Sequence, residues 1–166
     1  MHQMRKVIYT TSTVIGWQSI LLDPEIIVIL MDAWKFLVDS QRISLYSFVI
    51  MPNHIHWMYE VYSPYENGQI KHSFLSYTSK KILEILSENK DIFYVEKSNR
   101  MFQIWKSPSL SVEIFSKDFY YQKLNYIHNN PVKADLCSSP EEYLYSSALS
   151  YLSKEAKFPF LTVKKF

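Results

Sequence analysis

The chain has 166 residues, 48% of them hydrophobic and 16% aromatic, and a formal net charge of +2. That length and composition fit one domain over residues 1–166 with its own hydrophobic core. The only two glycines, Gly16 and Gly68, leave no glycine-rich phosphate loop, which argues against P-loop or Rossmann chemistry and against a nucleotide cofactor. The lone Cys137 cannot form an internal disulfide and suits a reducing cytoplasm. Met1 to Lys6 carries two basic residues, but no apolar stretch follows, so no signal peptide is expected. The longest apolar run, Ile26 to Met31, is too short to cross a bilayer. A cytoplasmic, nucleoid-associated protein with no membrane partner is the expectation. The mildly basic charge permits a nucleic-acid partner, for which a local patch matters more than the total.

In chain order, Lys6 to Val14 is rich in Val, Ile, Tyr and Thr and reads as a first strand. Asp23-Pro24-Glu25 opens a helix, with Asp as cap, Pro in the first turn and Glu at the positive end of the dipole. Ile26, Ile27, Leu30, Trp34, Leu37 and Val38 supply its apolar face as far as about Ser40. Strands from Ile43 to Ile50 and from His54 to Tyr62 follow as a hairpin, joined by Met51-Pro52-Asn53. Pro64 to Gly68 reads as loop. A second helix is predicted from Gln69 to Ser87, with Ile70, Phe74, Tyr77, Ile82, Ile85 and Leu86 inward and Lys71, Lys80 and Lys81 on or beside its polar side. Glu88 to Arg100 is charged and irregular, and Phe102 to Trp105 is a short strand. A third helix is predicted from Ser116 to Asn130, ended by Pro131, and a fourth from Pro140 to Leu152. The order β-α-β-β-α-β-α suggests an α+β sandwich of ferredoxin-like (RRM-like) type, an antiparallel sheet with helices packed on it.

Two places carry candidate chemistry. In the second strand of the hairpin His54 and His56 share one face, about 6.6–6.8 Å apart, while Ile55, Trp57, Tyr59 and Val61 take the other as a core stripe. Two imidazoles at i and i+2 can ligate one cation. On the third helix Gln122, Tyr126 and Asn130, spaced i, i+4, i+8, form a polar stripe flanked by Lys123 and Asn129. A tyrosine on a polar stripe is either a chance placement among thirteen or a phenol presented to a site, with Asn130 one turn on as a further donor to the cation. Neutral ligands leave a cation's double charge free to polarise a phosphate oxygen. The acceptor of the phenol proton is open, with Lys123, His128 and Glu60 as candidates; His128 reads first as structural. Trp57 and Trp105 suit either base stacking or the core, and the aromatic content favours the core.

Met-Pro-Asn-His-Ile-His at 51–56 and Tyr-Ile-His-Asn-Asn-Pro-Val-Lys-Ala at 126–134 resemble the single-tyrosine HUH transposases, and within them the REP-associated tyrosine transposase branch. The Trp105 region, Phe115 to Asp118 and Pro140 to Ser147 extend the resemblance over residues 43 to 151; the first forty residues are similar only loosely. The resemblance implies an HUH endonuclease fold and a metal-dependent enzyme that nicks and rejoins single-stranded, hairpin-bearing DNA. On that pattern His54, His56 and Asn130 bind Mg²⁺ or Mn²⁺, and Tyr126 is the nucleophile that forms a 5′-phosphotyrosine and frees a 3′-OH. Lys71, Lys80, Lys81 and Lys123 are candidate DNA contacts. Asp135 stands where the branch commonly has Gly. Proteins resembling this one include homodimers with shared active sites as well as monomers. Two other readings stay open: a non-catalytic hairpin or single-strand binder on the same fold, and a nuclease that uses water.

Overall fold

The computed structural model describes residues 6–97, 100–153 and 157–165. Its first strand, β1 (Val7–Thr13), ends in a 3₁₀ turn at Ile15–Trp17 and leads to α1 (Pro24–Asp39). The side chain of Asp23 accepts the Glu25 N–H at 2.9 Å, the cap anticipated from Asp-Pro-Glu. The hairpin β2 (Ile43–Ile50) and β3 (His54–Val61) falls where its alternating residues place it. The helix α2 (Asn67–Leu86) begins two residues before its predicted start, because Glu66 and Gln69 cap it reciprocally: the Gln69 carbonyl oxygen accepts the Glu66 N–H at 2.9 Å. A 3₁₀ segment (Ser87–Phe93) and a small hairpin, β4 (Tyr94–Lys97) with β5 (Arg100–Phe102), occupy the stretch expected to be irregular. β6 (Leu110–Ile114), α3 (Lys117–Lys133) and the short α4 (Ala148–Leu152) complete the fold.

Four strands form one antiparallel sheet in the order β2-β3-β1-β6, the ferredoxin-like arrangement. Its fourth strand is not the predicted Phe102 to Trp105, which supplies only an isolated bridge from Trp105 to Val14. β6 is an edge strand, so its alternation Leu-Ser-Val-Glu-Ile shows as a half-exposed face rather than as an apolar run. The two faces of the sheet are covered by different elements. Ile8, Leu45, Phe48, Ile55, Trp57 and Tyr59 pack against α1 and α2; Val7, Tyr9, Val49 and Met58 pack against Tyr120, Leu124 and Ile127 of α3. In α2 Tyr77 turns outward and Thr78 inward, the reverse of the expectation for Tyr77: Thr78 continues the buried stripe of Ile70, Phe74 and Ile82, and its hydroxyl is satisfied by the Phe74 carbonyl at 2.8 Å and the Trp105 Nε1–H at 2.9 Å. No helix among the described residues is long and apolar enough to cross a membrane.

Two corrections concern the end of the chain. Pro131 lies inside α3 and does not end it. It sits in the last turn, and the helix closes beyond it: Leu136 N–H bonds the Pro131 carbonyl at 2.9 Å, Asp135 N–H the Val132 carbonyl at 3.0 Å, and Asp135 takes φ 55°. This is a Schellman closure, with Asp135 in the left-handed position that Gly usually fills. The second correction is that Pro140 to Leu152 is not one helix. A single turn at Pro140–Glu142 and α4 are separated by a non-helical stretch in which Ser146 bridges to Val49. There Ile50 N–H donates to Tyr145 O at 2.9 Å and Ser147 N–H to Phe48 O at 3.0 Å, so this stretch closes the outer edge of β2.

Ser147 ties that edge to α3. Its Oγ accepts the buried Phe48 N–H at 3.0 Å and lies 2.9 Å from His128 Nε2. Ser147→Ala leaves the Phe48 N–H without a partner and is predicted to cost about 1–3 kcal/mol, measured as a lower urea midpoint at unchanged m-value.

Candidate metal and nucleophile site

The β1–β3 register sets Thr13 opposite His54 and Thr11 opposite His56. Alternation along β3 sends both histidines to the α3 side of the sheet and Ile55 and Trp57 to the other. The two imidazole rings lie 4.9 Å apart and nearly perpendicular. Asn130 reaches both: its Oδ1 is 3.3 Å from His54 Nε2 and its Nδ2 is 3.2 Å from His56 Nε2. One turn earlier, the Tyr126 ring meets His56 edge-on at 5.3 Å and Tyr9 at 6.4 Å, with 40% of the residue exposed. The two motifs, separated by 70 residues of chain, thus converge on one point.

The hydrogen bonds fix the imidazole tautomers. Asn53 Nδ2 donates to Trp17 O at 3.4 Å, so its Oδ1 faces His54 Nδ1 at 2.7 Å and accepts that proton. His56 Nδ1 lies 2.8 Å from both Tyr9 Oη and Thr11 Oγ1, while the Thr11 hydroxyl donates to Tyr9 Oη at 3.2 Å. With Asn130 Nδ2 donating to His56 Nε2, the proton of His56 sits on Nδ1. Both Nε2 lone pairs therefore point at the Asn130 amide, and His54 Nε2 faces Asn130 Oδ1 acceptor to acceptor. A divalent cation would relieve that opposition. Neighbouring ligands of a Mg²⁺ ion with bonds of about 2.1 Å lie about 3 Å apart, close to the 3.3 Å between His54 Nε2 and Asn130 Oδ1. The donor set fits a divalent cation. Among the described residues no group of three or more His, Cys, Asp or Glu is placed to hold a metal ion, so a set built on His54 and His56 would draw on the Asn130 amide.

Burial holds both histidines neutral. It pushes His56 down to about 3, with the charges of His54 and Lys123 adding to the effect, and it lowers His54 against the bond that a protonated ring would donate to Asn130. Burial raises the Tyr9 phenol to about 12, so Tyr9 serves as a fixed hydrogen-bonding group. Two ammonium groups frame Tyr126: Lys123 Nζ lies 5.7 Å and Lys133 Nζ 5.5 Å from its ring centroid.

Not every candidate residue joins this cluster. Lys71 donates to Ser109 O at 3.2 Å, Lys81 pairs with Glu84 at 2.9 Å, and Lys80 is exposed; all three ride on α2, across the sheet from Tyr126. Of the four candidate lysines, only Lys123 is at the site. His128 is buried on the opposite side of α3 against Ser147, and burial holds it down to about 4. Glu60 accepts from Tyr46 Oη, four residues and about 13 Å along β3 from His56. Neither is near the Tyr126 hydroxyl. Tyr9, Thr11, Asn53 and Lys133 belong to the site without having been singled out. Asn53 and Lys133 lie within or beside the two motifs, whereas Tyr9 and Thr11 are legible only once the β1–β3 register is known.

No protein-family model and no curated protein matches the sequence. Among solved structures, the fold is similar to that of a REP-associated tyrosine transposase bound to a REP hairpin, with TM-score 0.69 and 15% identity over 97% of this chain and 88% of that one. It is also similar to a proposed transposase from Deinococcus radiodurans R1, with TM-score 0.52 and 13% identity over 75% of this chain and 90% of that one. At such identities the likeness establishes a shared fold.

Trp57 is fully buried and Trp105 is 4% exposed, with its Nε1 donating to Thr78 Oγ1 at 2.9 Å. Both are core residues and offer no ring to a base. Trp105→Phe is predicted to cost about 1–2 kcal/mol of stability through the lost bond and volume. Affinity for single-stranded DNA, measured on the same samples, is expected to stay at the wild-type value.

Proposed function

We propose that this protein is a metal-dependent, single-stranded DNA endonuclease and strand transferase, a transposase of the single-tyrosine HUH type acting on hairpin-bearing DNA. The observation that carries the proposal is the meeting of Tyr126 and Asn130 of α3 with His54 and His56 of β3. The shared fold with a transposase bound to a DNA hairpin supports the substrate class.

Tyr126 Oη attacks the scissile phosphorus as the P–O3′ bond breaks. The product is a 5′-phosphotyrosine and a free 3′-OH; the phenol proton leaves and the departing oxygen gains one, so the step is proton-neutral. One phosphodiester replaces another, and rejoining needs no ATP. His54, His56 and Asn130 would hold Mg²⁺ or Mn²⁺, which would supply Lewis-acid stabilisation of the charge that builds on the phosphate. Tyr9 and Thr11 hold His56 with its proton on Nδ1 and its Nε2 toward that position. Lys123 and Lys133, beside the Tyr126 ring, draw the phosphodiester to the hydroxyl. The other reading, a binder without catalysis, leaves the same DNA class and removes the covalent step.

Tyr126→Phe removes one oxygen from a partly exposed ring, so the fold should survive. Nicking and the covalent adduct are expected to fall by more than about 10³-fold, with DNA affinity unchanged. Denaturing gels of 5′- and 3′-labelled hairpin DNA, before and after protease, read this directly. A persisting adduct in the variant would assign the nucleophile elsewhere; wild type without any adduct would favour the binding protein.

The second test concerns the cation. Tyr9→Phe combined with Thr11→Val takes away both oxygens that hold His56 Nδ1, and Mn²⁺ affinity in a calorimetric titration should drop about 10–100-fold. His56→Ala should lower it further. Unchanged Mn²⁺ binding in His56→Ala would refute the ligand assignment.

A further inference from the structure

Exposure rises steadily along one row of the sheet. On the α3 side, Val49 of β2 is fully buried and His56 of β3 is 4% exposed; Thr11 of β1 is half-buried and Leu110 of β6 is 60% exposed. α3 lies over β2 and β3, so the β6 side of that face is left open as a trough beside the helix. The helix wall of the trough has its own pattern. At 100° per residue, Phe119, Lys123, Tyr126, Asn130 and Lys133 fall within about 80° of arc, and the single carboxylate of α3, Asp118, lies outside it. Phe115, at the joint between β6 and α3, is 82% exposed and meets the Phe119 ring at 5.0 Å in a tilted contact of 34°. Lys123 Nζ sits 5.4 Å from the Phe119 ring, 4.6 Å from Tyr9 and 5.7 Å from Tyr126. Paired rings, then an ammonium group, then the candidate nucleophile therefore follow one another by contact.

Exposure alone does not single out Phe115, since other large apolar side chains of the chain are exposed as well; its pairing with Phe119 next to Lys123 and the candidate nucleophile does. The chemistry of the wall fits one occupant. Aromatic faces take bases of any sequence, and a lysine between the rings and the reacting hydroxyl takes the phosphate of the same strand. We infer that the trough between α3 and β6 is a single-strand track in which Phe115 and Phe119 stack the bases flanking the cut and Lys123 holds the intervening backbone. The inference rests on the nicking function proposed above and adds the place where the unpaired flank of the hairpin lies.

The test is binding by full-length protein in EDTA, where no cleavage occurs. Fluorescence anisotropy compares a labelled DNA hairpin carrying a single-stranded flank with the same hairpin trimmed of it. Wild type should prefer the flanked hairpin. Phe115→Ala, at a position exposed enough to leave the fold intact, should weaken the flanked hairpin about tenfold and leave the trimmed one unchanged, whereas Phe115→Trp should retain wild-type affinity. Lys123→Ala should lower the slope of log affinity against log salt by about 1. Wild-type affinity of Phe115→Ala for the flanked hairpin overturns the track. So does a change of oligomeric state in that variant, seen by light scattering, with DNA affinity untouched, since the ring would then cover a second copy of the chain. The covalent-adduct assay of Tyr126→Phe is independent of this measurement. A nicking enzyme indifferent to Phe115 loses only the track, and a protein with no preference for the flank refutes the track whether or not it nicks.

Discussion

A slip of β3 by one residue against β1 would carry Ile55 and Trp57 to the α3 side and turn His54 and His56 under α1 and α2. The observed register forbids it through the apolar face: Ile55, Trp57 and Tyr59 are fully buried against Trp34 and Phe74, with ring contacts of 4.9 Å from Trp57 to Phe74 and 6.0 Å from Trp57 to Trp34. Losing that burial would cost several kcal/mol, far more than any hydrogen bond at the site returns. The histidines are thus aimed by the packing of the residues between them. The same register sets Thr11 opposite His56 and Tyr9 opposite Met58, so the oxygens that orient His56 are delivered by the strand pair that aims it.

The other half of the site depends on α3 continuing past Pro131. Asn130 holds its amide toward both histidines from within a regular helical turn, and a helix ending there would free its backbone. The missing N–H of Pro131 costs little in the last turn, where closure by Leu136 and Asp135 satisfies the carbonyls beyond it. His128 and Pro131 are buried on the far side of the same helix. The contact of His128 with Ser147 couples the rotation of α3 about its axis to the stretch that seals β2. The residues of the second motif divide between the two sides of α3: Tyr126 and Asn130 toward the two histidines, Ile127, His128 and Pro131 toward the core.

Much of this was legible in the sequence, and the misses have physical causes. The first helix and the central hairpin carry strong caps and clean alternation and lie where their residues put them. Tyr126 and Asn130, one helical turn apart on a polar stripe, also lie as expected. β6 escaped notice because an edge strand buries only half a face, and the aromatic pull of Phe102 to Trp105 came from core contacts made outside any strand of the sheet. Lys71, Lys80 and Lys81 illustrate a different limit. A polar helix face reveals that it meets solvent, not which side of the sheet it occupies, and α2 packs beside α1, away from Tyr126. The fourth helix was overdrawn because Pro-Glu-Glu is a strong start signal, while the demand of the β2 edge for partners, met by the Tyr145 carbonyl and the Ser147 N–H, is a tertiary requirement that local sequence does not display.

The arrangement of charge follows from the choice of donors. Two imidazoles held neutral by burial and one amide contribute no negative charge, and the carboxylates of this face are kept away: Glu60 is engaged by Tyr46 and Asp118 lies off the stripe. Lysines Lys123 and Lys133 instead stand on either side of Tyr126. A carboxylate ligand would hold a divalent cation more tightly and cancel part of its charge, reducing its pull on a phosphate. Neutral ligands accept weaker retention of the cation and leave its full field for the substrate. On the function proposed above, a phosphodiester would bring the neutralising charge itself, so substrate and a cation held by His54, His56 and Asn130 would be expected to bind cooperatively, each strengthening the site for the other.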